Sequence, residues 1–76
     1  MKEKWPNRLK ELREAKGWRQ QDVADRLGMT ARGVSLHEQG INFNGHRIDA
    51  YARLYGVTPR ELFVAPSEVQ PALVTN

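Results

Sequence analysis

Between Asn7 and Gly17 apolar residues fall at Leu9, Leu12 and Ala15, separated by Lys10, Arg13, Glu14 and Lys16. This is the spacing of a helix with one buried stripe, and Gly17 stops it. From Gln20 a second segment carries Val23, Ala24 and Leu27 and meets Gly28, a residue free to adopt the left-handed backbone at a helix end. The third segment, about Thr30 to Gln39, starts on a good N-cap, turns Val34 and His37 inward and ends at Gly40. Its other face is polar or small. After the polar stretch Asn42 to Gly45, Ile48, Tyr51, Ala52 and Tyr55 recur at helical spacing, and Gly56 closes the segment. Thr58-Pro59-Arg60-Glu61 then joins an N-cap hydroxyl, a first-turn proline and a glutamate able to reach back to the cap, just ahead of Leu62 and Phe63. The pattern predicts a compact all-α domain of five short helices over residues 1–63. Pro66 and Pro71 interrupt residues 64–76, which read as a C-terminal tail, either flexible or in contact with a second subunit or partner.

Size and composition narrow the picture. A chain of 76 residues buries a modest core. With no cysteine there is neither a disulfide frame nor a thiolate metal site, which suits a reducing cytoplasm. Apolar runs are only a few residues long, so the sequence predicts no membrane span and no secretory leader. Twelve Lys and Arg against nine Asp and Glu give a formal charge of +3 and a pI near 9.7. That balance makes a polyanionic partner plausible, although a solvated surface with a small cationic excess would show the same numbers.

Two short helices joined at Gly28-Met29-Thr30 have the outline of a helix-turn-helix, in which the first helix crosses the DNA backbone and the second enters the major groove. Further residues fall in a recognisable order. They are Arg8-Leu9-Lys10-Glu11-Leu12-Arg13, Gly17-Trp18-Arg19-Gln20-Gln21-Asp22-Val23-Ala24, Leu27-Gly28, Val34-Ser35, Glu38-Gln39-Gly40 and Tyr55-Gly56-Val57. Over about Arg8 to Phe63 the chain resembles the phage repressor and Cro-type (XRE-like) helix-turn-helix family. The resemblance implies a lambda-repressor-like domain that binds double-stranded DNA, in a bacterial or phage-encoded cytoplasmic protein.

Carried over residue by residue, the resemblance makes Gln20 the glutamine that opens the second helix and hydrogen-bonds a phosphate, with Arg19 beside it. An amide beside free helix N–H groups suits an anion. Ala31, Arg32 and Leu36 take the family's base-reading places, while Thr30, Ser35 and Gln39 can reach phosphate or base edges. The Arg32 fork fits guanine O6 and N7, or alternatively a phosphate, and Leu36 offers an apolar contact to a thymine methyl. Gly33 interrupts the helix, and close approach to the sugar-phosphate wall would explain it as well as ordinary tolerance would. Arg13 and Glu38 match a family ion pair that fixes the recognition helix against the scaffold. Many relatives follow the glycine after the recognition helix with a basic residue, whereas Ile41 and Asn42 stand here. Asn42, Asn44, His46 and Arg47 remain as phosphate donors in the following stretch.

Trp18 is expected to pack at an inter-helix corner rather than stack on bases, and Trp5 to cover the start of the first helix. His37 suits the core. With His46 as the only other imidazole there is no ligand cluster, and Ser35, His37 and Glu38 point in different directions along one helix, so neither a metal site, a cofactor nor catalysis is expected. The expected function is a DNA-binding regulator, a repressor on a palindromic operator, acting as a homodimer. Tyr51, Leu54, Tyr55, Phe63 and the tail serve equally as interface or core. Two alternatives stand beside it: an antitoxin whose tail masks a toxin, and a protein-interaction module that no longer binds DNA.

Overall fold

The computed structural model describes residues 6–64, and the expectations for Trp5 and for the tail beyond Val64 lie outside the described residues. Among the described residues four α-helices follow in order, α1 Leu9–Ala15, α2 Gln20–Leu27, α3 Ala31–Glu38 and α4 Gly45–Tyr55, and then a 3-10 turn at Pro59–Leu62. Among the described residues there is no strand, and no helix is long and apolar enough to cross a membrane.

The helix ends are set by local chemistry. Asn7 Oδ1 accepts the Leu9 N–H at 3.0 Å, and the Asp22 carboxylate accepts the Arg19 backbone N–H at 2.8 Å as α2 begins. Gly28, with φ +68, ends α2 in the left-handed region, and the Met29 N–H returns to Ala24 O at 2.9 Å. Thr30 is extended and its Oγ1 accepts the Gly33 N–H at 3.0 Å, which starts α3 two residues after that turn. The α2–α3 pair is thus a helix-turn-helix in geometry as well as in sequence pattern.

Where a fifth helix is expected, the described residues form a single 3-10 turn. Its capping box is present, with Thr58 Oγ1 accepting the Glu61 N–H and Glu61 Oε1 accepting the Thr58 N–H. Only Pro59–Leu62 follow, however, and the Glu61 and Phe63 N–H groups bond three residues back. So short a segment cannot develop an α-helical ladder, and it closes as one tight 3-10 turn. That turn is tied to the start of α1 by the Arg8 N–H on Leu62 O and by the Arg8 guanidinium on Glu61 O, both at 2.6 Å.

Leu9, Val23, Ala24, Val34, Phe43, Tyr51, Ala52, Tyr55 and Leu62 form the buried core, with His37 among them. Every helix contributes at least one of these side chains, so α3 is seated on the other helices through Val34 and His37. Rings run through the interior: Phe43 and His37 each meet Tyr51 edge-on with centroids 5.5 Å apart, and Phe63 lies 5.5 Å from Phe43. Tyr55 joins Tyr51 to Trp18, each 6.2 Å away. Edge-to-face pairs of this kind add roughly 0.5–1.5 kcal/mol beyond area burial. Tyr51 and Tyr55 are therefore core residues, while Leu54 and Phe63 are half-buried against that core. Ala15, which the periodicity places on the buried stripe of α1, is exposed at the helix end.

Candidate nucleic-acid interface

Val34 and His37 fix which side of α3 faces inward, and Arg32, Leu36 and Gln39 lie on the opposite side. Arg32 and Gln39 are exposed, and Ala31, Ser35 and Leu36 are half-buried. Among the described residues the Arg32 guanidinium has no hydrogen-bond or ion-pair partner, so its donors are all available to a ligand. Leu36, four residues on and hence on the same face, lies outside the core cluster and outside the apolar residues packed against it. Gln39 Nε2 donates to Ser35 Oγ at 3.2 Å, which ties two polar groups of this face together.

Both ends of α3 are braced by neighbouring helices. At its C-terminal end Glu38 accepts Arg13 Nε at 2.7 Å and Nη2 at 3.3 Å, and the remaining Arg13 nitrogen donates to Trp18 O at 3.0 Å. The Arg13 and Glu38 side chains are only 11% and 6% exposed. The same carboxylate accepts Gln20 Nε2 at 3.1 Å, which brings the first residue of α2 beside the last residue of α3. At the other end the Met29 thioether is wedged between α3 and α4. Its sulfur lies 3.8 Å from Arg47 Nη1 and 3.9 Å from Tyr51 Oη. A Cβ on Gly33 would fall 2.7 Å from the terminal methyl of Met29 and 3.3 Å from Thr30 Oγ1, so a larger residue there would require the end of the Met29 side chain to shift.

Arg19 is exposed but its guanidinium is engaged by Asp22 at 3.2 and 3.3 Å. Thr30 is exposed and uses a lone pair for its capping bond, leaving its hydroxyl hydrogen to donate elsewhere. Asn42, Asn44 and His46 are exposed, with Asn42 at φ +58 and Asn44 capping α4 without a side-chain bond of its own. Gln20 and Arg47 thus lie at the two ends of α3. Among the described residues no hydrogen bond or ion pair ties the side chains of Asn42, Asn44 or His46 to α3.

His37 Nδ1 is 2.9 Å from Tyr51 Oη in the core. Burial, and after it the positive charge of Arg47, hold the imidazole below its ordinary pKa, which favours the neutral ring. Burial likewise raises the Tyr51 hydroxyl and pushes Tyr55 up to about 12. Ser35, His37 and Glu38 each bond a different neighbour, Gln39, Tyr51 and the Arg13–Gln20 pair respectively, so they form no relay. Among the described residues no three His, Cys, Asp or Glu side chains group as metal ligands. A shallow open groove lies along α4, lined by His46, Ile48, Asp49, Arg53 and Pro59 among others, and it includes no residue of α3.

Three features escape pattern reading. Phe43, inside the stretch that looks polar, is 7% exposed and belongs to the core. Its aromatic ring between two asparagines was the one available signal. The Gln20–Glu38 contact spans 18 positions, and the seat of Met29 depends on α4, so neither has a local signature.

Residues 7–63 match a family of helix-turn-helix domains, a family of the XRE/Cro-like type. No curated protein and no solved structure matches the chain.

Proposed function

The chain belongs to the helix-turn-helix domain family, and from that premise we propose that it is a transcriptional repressor that reads a palindromic operator as a homodimer. Sequence-specific DNA binding is what the family supports for this domain. The observation that carries the finer reading is the unpartnered, exposed Arg32 on the outward face of α3, flanked by Ala31, Ser35 and Leu36.

In this reading α3 lies in the major groove. Arg32 donates two hydrogen bonds to guanine O6 and N7, and Leu36 covers a thymine methyl; a well-formed bidentate pair discriminates by about 1–3 kcal/mol. Ala31 is small enough to let the helix approach. Gln20, with Arg47 at the other end of α3, contacts phosphates and sets the register without reading bases. Thr30, Gly33, Ser35 and Gln39 on or beside α3, and Arg19 just before α2, are assigned phosphate or base-edge contacts, with Asn42, Asn44 and His46 after α3 as further phosphate donors. One such helix spans a few base pairs, so two copies with their α3 helices about 34 Å apart would read a two-fold symmetric site on one side of the duplex. Repression follows from occupancy of that site.

Selection of bound duplexes from a random pool tests the proposal, followed by titration of the selected and random duplexes at two salt concentrations. A symmetric consensus whose binding weakens steeply with salt is expected. Arg32→Ala should narrow the affinity gap between selected and random DNA, whereas Gln20→Ala should weaken both alike. No binding at low salt would instead indicate an interaction module, and an asymmetric single half-site would remove the dimer.

A further inference from the structure

We infer that Glu38 is a positioning residue for DNA binding, acting through Gln20: it holds the Gln20 amide with its nitrogen inward and presents the second amide hydrogen to a backbone phosphate. The inference rests on the DNA-binding reading above and assigns a role to a residue that the ion pair alone would make purely architectural.

The geometry is specific. Glu38 is the last residue of α3 and Gln20 the first of α2, and Glu38 Oε1 accepts Gln20 Nε2 at 3.1 Å. The carboxylate can only accept, so it selects one of the two amide orientations; the flipped amide would set oxygen against oxygen. Among the described residues Gln20 Nε2 donates to nothing else, so its other hydrogen is left for an outside acceptor. Gln20 is half-buried rather than free to sweep through solvent. A side chain already held in its binding rotamer loses less entropy when a phosphate arrives.

A carboxylate this near a polyanion would ordinarily oppose binding. Arg13 removes that conflict, because its Nε and Nη2 both bond Glu38 and the pair is nearly excluded from solvent. Arg13 neutralises the charge and Glu38 keeps a lone pair for Gln20. One ion pair therefore braces α3 and orients the donor on α2.

A double-mutant cycle on a duplex of random sequence at low salt separates the positioning role from a bracing role, with folding of each variant checked by urea titration. Gln20→Ala in the wild-type background should weaken binding roughly tenfold, the effect of one hydrogen bond to a charged group. In a Glu38→Ala background the same substitution should cost less than about twofold, because the amide is no longer oriented. If Glu38 only braces α3, the two losses multiply, and that result overturns the inference. Should Glu38→Ala not fold, Arg13→Met with Glu38→Leu removes both charges together and serves as the second background, with the same expected loss of the Gln20 effect. Binding by wild type that is insensitive to Gln20→Ala also refutes the positioning role while leaving DNA binding intact; absence of any wild-type binding removes both.

Discussion

Glu38→Ala leaves the Arg13 guanidinium, 11% exposed, with Trp18 O as its one remaining hydrogen-bond acceptor. Truncating one partner of a buried ion pair costs about 3–5 kcal/mol, because the surviving charge stays desolvated. A domain of this length has a total stability of roughly 4–11 kcal/mol, so the substitution takes a large share of it. Replacing both partners, Arg13→Met with Glu38→Leu, removes the stranded charge and fills the space with apolar atoms. The Trp18 carbonyl then loses a donor at a cost of about 1–3 kcal/mol, which offsets part of that gain, and the double variant should stay within about 2 kcal/mol of wild type. Urea titration followed by circular dichroism measures both. A cost below about 1 kcal/mol for Glu38→Ala, or a double variant as unstable as the single one, would refute the claim that α3 is anchored by a desolvated charge pair.

Because burial holds His37 below its ordinary pKa, the unfolded chain binds the proton more readily than the folded one. Stability should therefore be level above the ordinary imidazole pKa of about 6.5 and fall as the pH drops below it toward the lower folded value. Urea midpoints at about pH 7.5 and about pH 5.5 should show that decline in wild type and its loss in His37→Phe; an unchanged slope in the variant would assign it elsewhere. Gly33→Ala gains about 1 kcal/mol of helix propensity but crowds the Met29 methyl, so it should stabilise the Met29→Ala background more than the wild-type one. Equal effects in the two backgrounds would mean that Met29 moves aside freely. Leu62→Ala, at a fully buried position that closes the core beneath α1, should cost about 2–5 kcal/mol in the same assay, and a near-neutral result would show the 3-10 turn to be dispensable.

Much of this fold is legible because its signals are local. Thr30 beside Gly28-Met29 marks both the turn and the start of α3, and the bonds of Thr30 Oγ1 and Met29 N realise that signal within three and five residues. Val34 and His37 at i and i+3 orient the helix, which is why the outward position of Arg32 can be inferred before any coordinates. The last segment shows where local signals stop. Thr58 and Glu61 announce a helix start truthfully, but the cap says nothing about how far the helix runs, and Pro59–Leu62 end after one turn. Phe43 is hidden for the opposite reason, since its burial depends on His37, Tyr51 and Phe63 from three other parts of the chain. At the candidate interface the residues on α3 are legible from periodicity. Their support is not, because Gln20 reaches Glu38 and Arg47 reaches Met29 only once the helices have packed.

An amide-resolved NMR titration with a duplex selected from a random pool shows whether the outward face of α3 meets DNA. The largest shift changes should fall on residues 30–36 and at Gln20, with the outer face of α4 from Ile48 to Arg53 little affected. Shifts confined to that α4 face, with the amides of Ala31, Arg32 and Leu36 unmoved at saturation, would mean that α3 does not enter the groove.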